Sequence, residues 1–287
     1  MSEPLLEVSN LRVSFPTRQG VTEAVRGVSF TLGREKLGIV GESGSGKSMT
    51  GRSILGLVPP PGRVTADRLA FRGEDLRTTS DKRLRAIRGS DIAMVMQDPK
   101  FSLNPVMTVG HQIAEAYRVH SRASAREAKR RALEMLAAVR IRDPERVYDR
   151  YPHEVSGGMG QRIMIAMMLI PDPALLIADE PTSALDVTVQ MQILAILDDL
   201  CGQRGMGMIF VSHDLNLVAS FCDRVLIMYA GRVVESCRAA DLHNARHPYT
   251  RGLLDSLPRL DDNRRDLPVL TRDPAWLTDG PAAEAQR

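Results

Sequence analysis

The sequence predicts an α/β protein: a mostly parallel sheet flanked by helices, preceded by an antiparallel β layer and interrupted by a helical insertion. Three observations carry that expectation. Short apolar runs at Leu37 to Val40, Leu175 to Ala178, Gly207 to Val211 and Arg224 to Met228 alternate with helical stretches, and repeated alternation of this kind buries a parallel sheet between helices. A glycine-rich segment, Gly41 to Ser48, lies between the first of these runs and a helix. Residues 111–140 are polar, with Ala and Arg at helical spacing.

Taken in order, residues 5–15 and 24–32 hold apolar clusters divided by turn-forming Pro16, Gly20 and Gly27, as in an antiparallel layer. Leu37 to Val40 is a buried strand, and Met49 to Leu57 reads as a helix stopped by Pro59, Pro60 and Pro61. The 111–140 stretch is bracketed by Pro105 and Pro144, so a helical insertion is expected over about 100–170. Helices near 187–201 and 215–222 separate the later strands. Beyond Arg246 the chain is rich in Pro, Asp and Arg with weak periodicity. The expected division is therefore a domain at 1–245 and a C-terminal extension at 246–287, losing order toward Ala282 to Arg287. Trp276, the only tryptophan, has Leu267, Val269 and Leu270 nearby; it either docks on the body of the protein or packs locally.

Composition narrows the function. With 287 residues, 43% of them hydrophobic and 25% charged, the chain can bury a core and is neither disordered nor collagen-like. A net charge of +3, from 38 basic and 35 acidic residues, gives no basis for a nucleic-acid partner. Cys201, Cys222 and Cys237 are odd in number and lack a C-x-x-C spacing, which predicts a reducing compartment and no zinc or iron–sulfur site. MSEPLLEVSN lacks the basic flank and apolar stretch of an export signal. The longest apolar run, Ile163 to Ile170, is eight residues, well short of the roughly 20 that span a bilayer. Any membrane association is expected to come through a partner.

Only five lysines are present, and Lys47 lies within the glycine-rich segment. Gly41, Glu42, Ser43, Gly44, Ser45, Gly46, Lys47 and Ser48 fit G-x-x-x-x-G-K-S/T between a strand and a helix. Glycines let backbone N–H groups turn toward phosphate oxygens, the helix offers its positive end, Lys47 bridges the oxygens, and Ser48 can ligate Mg²⁺. Leu175 to Glu180 is an apolar strand ending in two carboxylates, the arrangement that sets acids at the edge of a parallel sheet. Asp179 suits Mg²⁺ and Glu180 suits accepting a proton from an attacking water. Val155 to Arg162 places a small-residue turn ahead of a helix expected to begin near Gln161, a second anion site. One nucleotide cannot easily use both, which suggests that the second completes a site on another subunit.

In these motifs the chain resembles the ATP-binding subunits of ABC (ATP-binding cassette) transporters through nearly all of residues 5–258: the loop at 41–48, Gln97 within MVMQDP, the signature at 155–161, Asp179–Glu180, the loop from Ser183 to Asp186, and His213 in VSHD. The resemblance implies a P-loop NTPase (RecA-like) core, ATP and Mg²⁺ as ligands, Phe15 stacked on adenine, Gln97 on Mg²⁺, and His213 at the γ-phosphate. It also implies that Ser156, Gly157, Gly158 and Met159 act on the nucleotide of a second subunit, with Asp186 in the loop between subunits. The common signature LSGGQ reads VSGGM here, with Gly160 following, and Met159 resembles the peptide-transporter branch. QDPKFSLNPVMTVGHQI and HPYTRGLLDSLP resemble the ATPases of dipeptide, oligopeptide and nickel importers. That branch implies a second, paralogous ATPase, two permease subunits and an extracytoplasmic binding protein, at the cytoplasmic face of the inner membrane. Residues Phe101 to Val106 are then expected to help form the groove for a permease helix. Some members carry a C-terminal cysteine cluster for iron and sulfur; no cysteine follows Cys237 here, so no cluster is expected. The other readings are a nickel or small-solute importer of the same branch and a soluble ABC protein of repair or translation. The latter usually shows a long coiled coil or two cassettes, and neither is present.

Overall fold

The structure, a computed structural model, describes residues 3–97, 102–183 and 185–256 together with Asp273 and Trp276. The chain forms two compact units, one from residues 1–79 and 209–287 and one from 80–208.

The first unit opens on a hairpin of β1 (Leu6–Thr17) and β2 (Gly20–Leu32), paired from Leu6 opposite Leu32 to Thr17 opposite Gly20. The buried face of β1 changes parity, from Leu6 and Val8 to Leu11 and Val13. A bulge between Val8 and Leu11 absorbs the extra residue, with Asn10 at φ 48°, since Asn tolerates the left-handed region. The strand runs through Pro16, so the expected break there is only the hairpin end. Gly27 divides nothing either: it sits inside β2 at φ 85°. Next come β3 (Lys36–Val40) and α1 (Lys47–Ile54), then β4 (Arg63–Thr65), β5 (Arg68–Phe71) and β6 (Glu74–Asp75). The antiparallel layer is ordered β2-β1-β5-β6, with β4 on the far end of β1.

The second unit contains α2 (Asp81–Ser90), β7 (Ile92–Val95), α3 (Val109–His120), α4 (Ala125–Ala138), α5 (Pro144–Tyr148), α6 (Gly157–Leu169), β8 (Leu175–Asp179) and α7 (Val187–Arg204). The helical stretch expected over 111–140 is two helices, because the Ser124 hydroxyl accepts the Glu127 N–H at 3.2 Å and caps α4. Ala128, Ala132, Met135 and Leu136 form the buried stripe of α4. Gly110 admits the Tyr148 ring so closely that a Cβ there would lie 2.1 Å from it. Strands β7 and β8 are parallel, with Ile92 opposite Leu175.

From β9 (Gly207–Ser212) the chain re-enters the first unit and adds α8 (Leu215–Phe221), β10 (Arg224–Tyr229), β11 (Arg232–Arg238) and α9 (Pro248–Asp255). Strand β10 runs parallel to β3 and β11 antiparallel to β10. Leu37, Ile39 and Val40 of β3 are buried, as a strand covered on both faces requires. Gly38 lets α8 approach: its added Cβ would sit 2.1 Å from Val218 Cγ1.

Candidate functional site

The glycine-rich loop follows β3 in the first unit and leads into α1. Lys47 is 5% exposed, and its Nζ donates to the carbonyls of Gly41 and Glu42, both at 2.8 Å. The ammonium is thus folded back into the loop it closes. Gly46 caps α1 at φ 98°, and a Cβ there would lie 2.4 Å from the Ala24 carbonyl. Gly44 also has positive φ, 80°. The helix therefore starts at Lys47, two residues earlier than the expected Met49, and ends at Ile54 ahead of Gly56, which has φ 60°.

A two-residue turn between β10 and β11 supports the loop. Ala230 and Gly231 both have positive φ, 46° and 83°, which matches the twist of a tight hairpin. The Gly231 N–H donates to Ser45 O at 3.0 Å, and its carbonyl accepts Arg26 N–H at 2.7 Å. The Ser45 hydroxyl is buried without a partner among the described residues, in a loop whose helix end favours anions. Ser48, half-buried, stands in the first turn of α1. Glu42 N–H donates to the Tyr249 hydroxyl of α9 at 3.2 Å, a contact that sequence reading missed. Its only signal was the HPY segment, 207 positions away.

Two further expected residues lie in this unit. Phe15 is half-buried on β1, its ring edge 2.7 Å from where a Gly62 Cβ would stand. His213 is exposed immediately after β9. Beside it Ser212 Oγ accepts Asp214 N–H at 3.0 Å, and Asp214 caps α8 through Leu217 N–H, also 3.0 Å.

The acid pair and the signature belong to the second unit. Asp179 is buried as the last residue of β8. Glu180 follows at φ 48°, a costly conformation for a residue with a Cβ. Gln97, exposed beyond β7, donates from Nε2 to Glu180 Oε2 at 3.4 Å, so these two expected residues meet. The Glu180 carbonyl accepts the Ser183 hydroxyl at 3.2 Å. Asp186 caps α7 by accepting Val189 N–H at 3.0 Å.

Helix α6 begins at Gly157, four residues before the expected Gln161, because Ser156 is its cap and accepts Met159 N–H at 3.4 Å. First-turn amides have no partner within the helix, so glycines cost little there and leave N–H groups available. A Cβ at Gly157 would meet nothing within 4 Å, whereas one at Gly158 would lie 2.8 Å from Val189 Cγ1. Further along α6, Arg162 donates to Arg140 O at 3.0 Å and to Gln192.

A shallow groove of about 740 Å³ opens in this unit between Pro105–Val106 and the segment Arg146 to Glu154. Val106 is 79% exposed on its rim, and Tyr151 and His153 stack at 5.7 Å. Gln112 of α3 pins the turn that carries Pro105 and Val106, accepting Asn104 N–H at 2.8 Å and donating to the carbonyls of Asn104 and Met107 at 2.9 and 3.0 Å. Phe101, also expected here, lies outside the described residues.

A buried strand, a glycine-rich loop closed on a buried lysine and a helix springing from that loop define a P-loop nucleotide-binding protein of α/β class. The sequence family described as "ABC transporter" matches residues 25–183, and "Oligopeptide/dipeptide transporter, C-terminal region" matches 234–282. The dipeptide transport ATP-binding protein DppD of Bacillus subtilis is 49% identical over 282 residues, 97% of this chain and 84% of that protein. The oligopeptide transport ATP-binding protein OppD of the same organism is 47% identical over 285 residues, covering 98% and 80%. Among solved structures, the cassette MJ0796 in a dimeric post-hydrolysis state bound to ADP and Pi superposes with a TM-score of 0.71 at 28% identity, covering 82% of this chain and 98% of that one. CbiO1 of Clostridium perfringens, part of the transporter complex cbiONQ, gives 0.72 at 26% identity, covering 85% and 92%. The chain belongs to the ABC transporter family, as an ATP-hydrolysing subunit of its oligopeptide and dipeptide branch. Among the described residues no helix is long and apolar enough to cross a membrane.

Proposed function

We propose that this chain energises import of di- and oligopeptides, with the motif residues in the following roles. The observation that carries the nucleotide reading is the buried Lys47, held by two carbonyls of its own loop. On ATP binding the ammonium exchanges these carbonyls for phosphate oxygens, and the backbone N–H groups of 44–48 complete the cradle. The half-buried Ser48 hydroxyl and the buried Asp179 carboxylate are hard oxygen donors that fit Mg²⁺, which would spread the charge developing on the phosphates. Gln97, already bonded to Glu180, is a further oxygen donor toward it.

Glu180 takes a proton from the attacking water as its oxygen bonds to the γ-phosphorus. The bond to the β–γ bridging oxygen breaks, and ADP leaves with that electron pair. His213 holds the γ-phosphate, and Phe15 stacks on adenine. Ser156, Gly157, Gly158 and Met159 present the N-terminal end of α6 to the nucleotide of a second ATPase subunit, and Asp186 stands in the loop between the two. Closure by ATP then favours one state of the pair. Moving it from about 1:99 to 99:1 requires roughly 5.5 kcal/mol of differential affinity.

Residues 1–245 form the ATPase part, with its helical portion at about 100–170, and 246–287 the extension. The groove beside Val106 receives a helix of the permease, which keeps the chain peripheral at the cytoplasmic face of the inner membrane. Two permease subunits, a paralogous ATPase and an extracytoplasmic binding protein complete the assembly. Deleting the gene is expected to abolish uptake of labelled di- and oligopeptides while sugar uptake continues. Loss of nickel or sugar import with intact peptide import would overturn the substrate class.

A further inference from the structure

We infer that Tyr249 is a positioning residue for the phosphate loop and that Trp276 locks it in place, so that the C-terminal extension sets ATP affinity. The inference rests on the reading of residues 41–48 as the phosphate site. One peptide unit carries it. The carbonyl of Gly41 accepts Lys47 Nζ at 2.8 Å, and the N–H of the same peptide, that of Glu42, donates to Tyr249 Oη at 3.2 Å. The amide plane is therefore gripped on both edges, by a cation on one side and a phenol on the other. Hydrogen bonds linked in this way polarise one another. When Lys47 releases the Gly41 carbonyl for phosphate, the tyrosine bond remains to keep that peptide from turning its carbonyl into the cradle, where it would repel the anion.

The tyrosine is held for this purpose. Tyr249 is 0% exposed. His247 Nδ1 accepts the Tyr249 N–H at 3.1 Å and caps α9, with Pro248 in its first turn. Glu235 of β11 fixes the approach by accepting Arg246 N–H at 2.6 Å and His247 N–H at 3.3 Å. The ring lies 4.6 Å from that of Tyr229 on β10 and 5.9 Å from Trp276, which also sits 5.9 Å from Tyr229 edge to face. Trp276 is only 8% exposed. It covers Tyr249 and Tyr229 where β10 turns through Gly231, whose N–H holds Ser45. The extension thus reaches the loop by two routes, through the Tyr249 hydroxyl and through the β10–β11 turn.

The test compares the full chain with Tyr249→Phe and Trp276→Ala by equilibrium binding of MgATP and steady-state hydrolysis. Tyr249→Phe keeps the ring and removes only the hydroxyl. Its Kd and KM for ATP are expected to rise about 2- to 10-fold, the range for one hydrogen bond, with kcat within twofold. Emission from Trp276, the sole tryptophan, is expected to match wild type, showing the aromatic cluster intact. Trp276→Ala is expected to weaken ATP binding in the same direction, and Trp276→Phe to restore it. Wild-type affinity in Tyr249→Phe overturns the inference. If that variant loses its folded emission, wild-type affinity in Trp276→Ala overturns it instead. A wild-type chain that binds no ATP at all sinks the phosphate-site reading itself, and the inference with it.

Discussion

Replacing Glu180 by Gln separates catalysis from binding, because the structure makes the exchange nearly isosteric and free of packing cost. Glu180 is half-buried, and its Oε2 accepts Gln97 Nε2 at 3.4 Å. A glutamine carbonyl oxygen can accept the same bond, so the Gln97 contact survives. The left-handed backbone at φ 48° strains Gln and Glu alike, and the carbonyl bond from the Ser183 hydroxyl does not depend on the side chain. What disappears is a basic oxygen able to take the proton of water. Removal of a general base costs about 10²- to 10⁴-fold in rate, or roughly 3 to 5.5 kcal/mol at about 1.36 kcal/mol per decade. ATP affinity should change by less than about twofold. Lys47→Ala gives the opposite pattern: an ammonium that donates to two atoms at 2.8 Å is lost from the phosphate site. Each charged hydrogen bond is worth about 1.5–3 kcal/mol, so affinity should fall at least tenfold. Phosphate release measures the first effect and ATP retention on an affinity resin the second. Hydrolysis by Glu180→Gln at the wild-type rate would refute the assignment of Glu180 as the base.

Other consequences are equally direct. Gly157→Asp, whose added Cβ meets nothing within 4 Å, is expected to leave ATP binding to the isolated chain unchanged and to abolish ATP-dependent pairing with the partner ATPase, seen by sizing; parallel loss of both would contradict the shared-site reading. The same substitution at Gly158 is a poorer test, since it also presses on Val189 at 2.8 Å. Gly38→Ala should destabilise the first unit by about 1–3 kcal/mol through overpacking against Val218, lowering the urea midpoint, with partial rescue by Val218→Ala; an unchanged midpoint in the single variant counts against that packing. Burial pushes the thiol of Cys222 up to about 12 and that of Cys237 up to about 11. At pH 8 only about one in ten thousand and one in a thousand would be thiolate, so iodoacetamide should leave both intact in the native protein and modify them after denaturation; stoichiometric native labelling at pH 8 would be the contrary result.

The parts of the molecule legible in the sequence are those whose chemistry is local. Gly41 to Ser48 are consecutive, and the positive φ of Gly44 and Gly46 is the reason glycine stands there. The runs at β3, β8, β9 and β10 are apolar because each is buried, so burial and pattern coincide. Strands β4 and β6 escape the eye for the converse reason: Arg63–Thr65 is exposed throughout and Glu74–Asp75 only half-buried, leaving no alternation to detect. β7 is hidden differently, since Ile-Ala-Met-Val runs straight into the Gln97 segment. Helix starts read too late from the sequence where a glycine stands at the cap or opens the first turn, as with Gly46 before Lys47 and Gly157 after Ser156. A glycine's low helix propensity suggests a later start, while the free N–H groups of a first turn make it tolerable there.

Contacts across long separations left no such trace. Gly231 holding Ser45 and Tyr249 holding Glu42 are each inconspicuous in their own segment. Trp276 shows where that limit lies. The sequence left two options open, docking or local packing, because a single tryptophan near Leu267, Val269 and Leu270 suits either; those three lie outside the described residues. The structure places its ring against Tyr229 of β10, Tyr249 of α9 and His247, aromatic and imidazole groups contributed by two separate stretches of the chain. No periodicity links position 276 to 229, yet burying an indole requires a surface of this size, and the only way to find it was to know which strand ends beside the phosphate loop. A residue conspicuous in composition thus identified a contact, whereas its partner and consequence belonged to the topology.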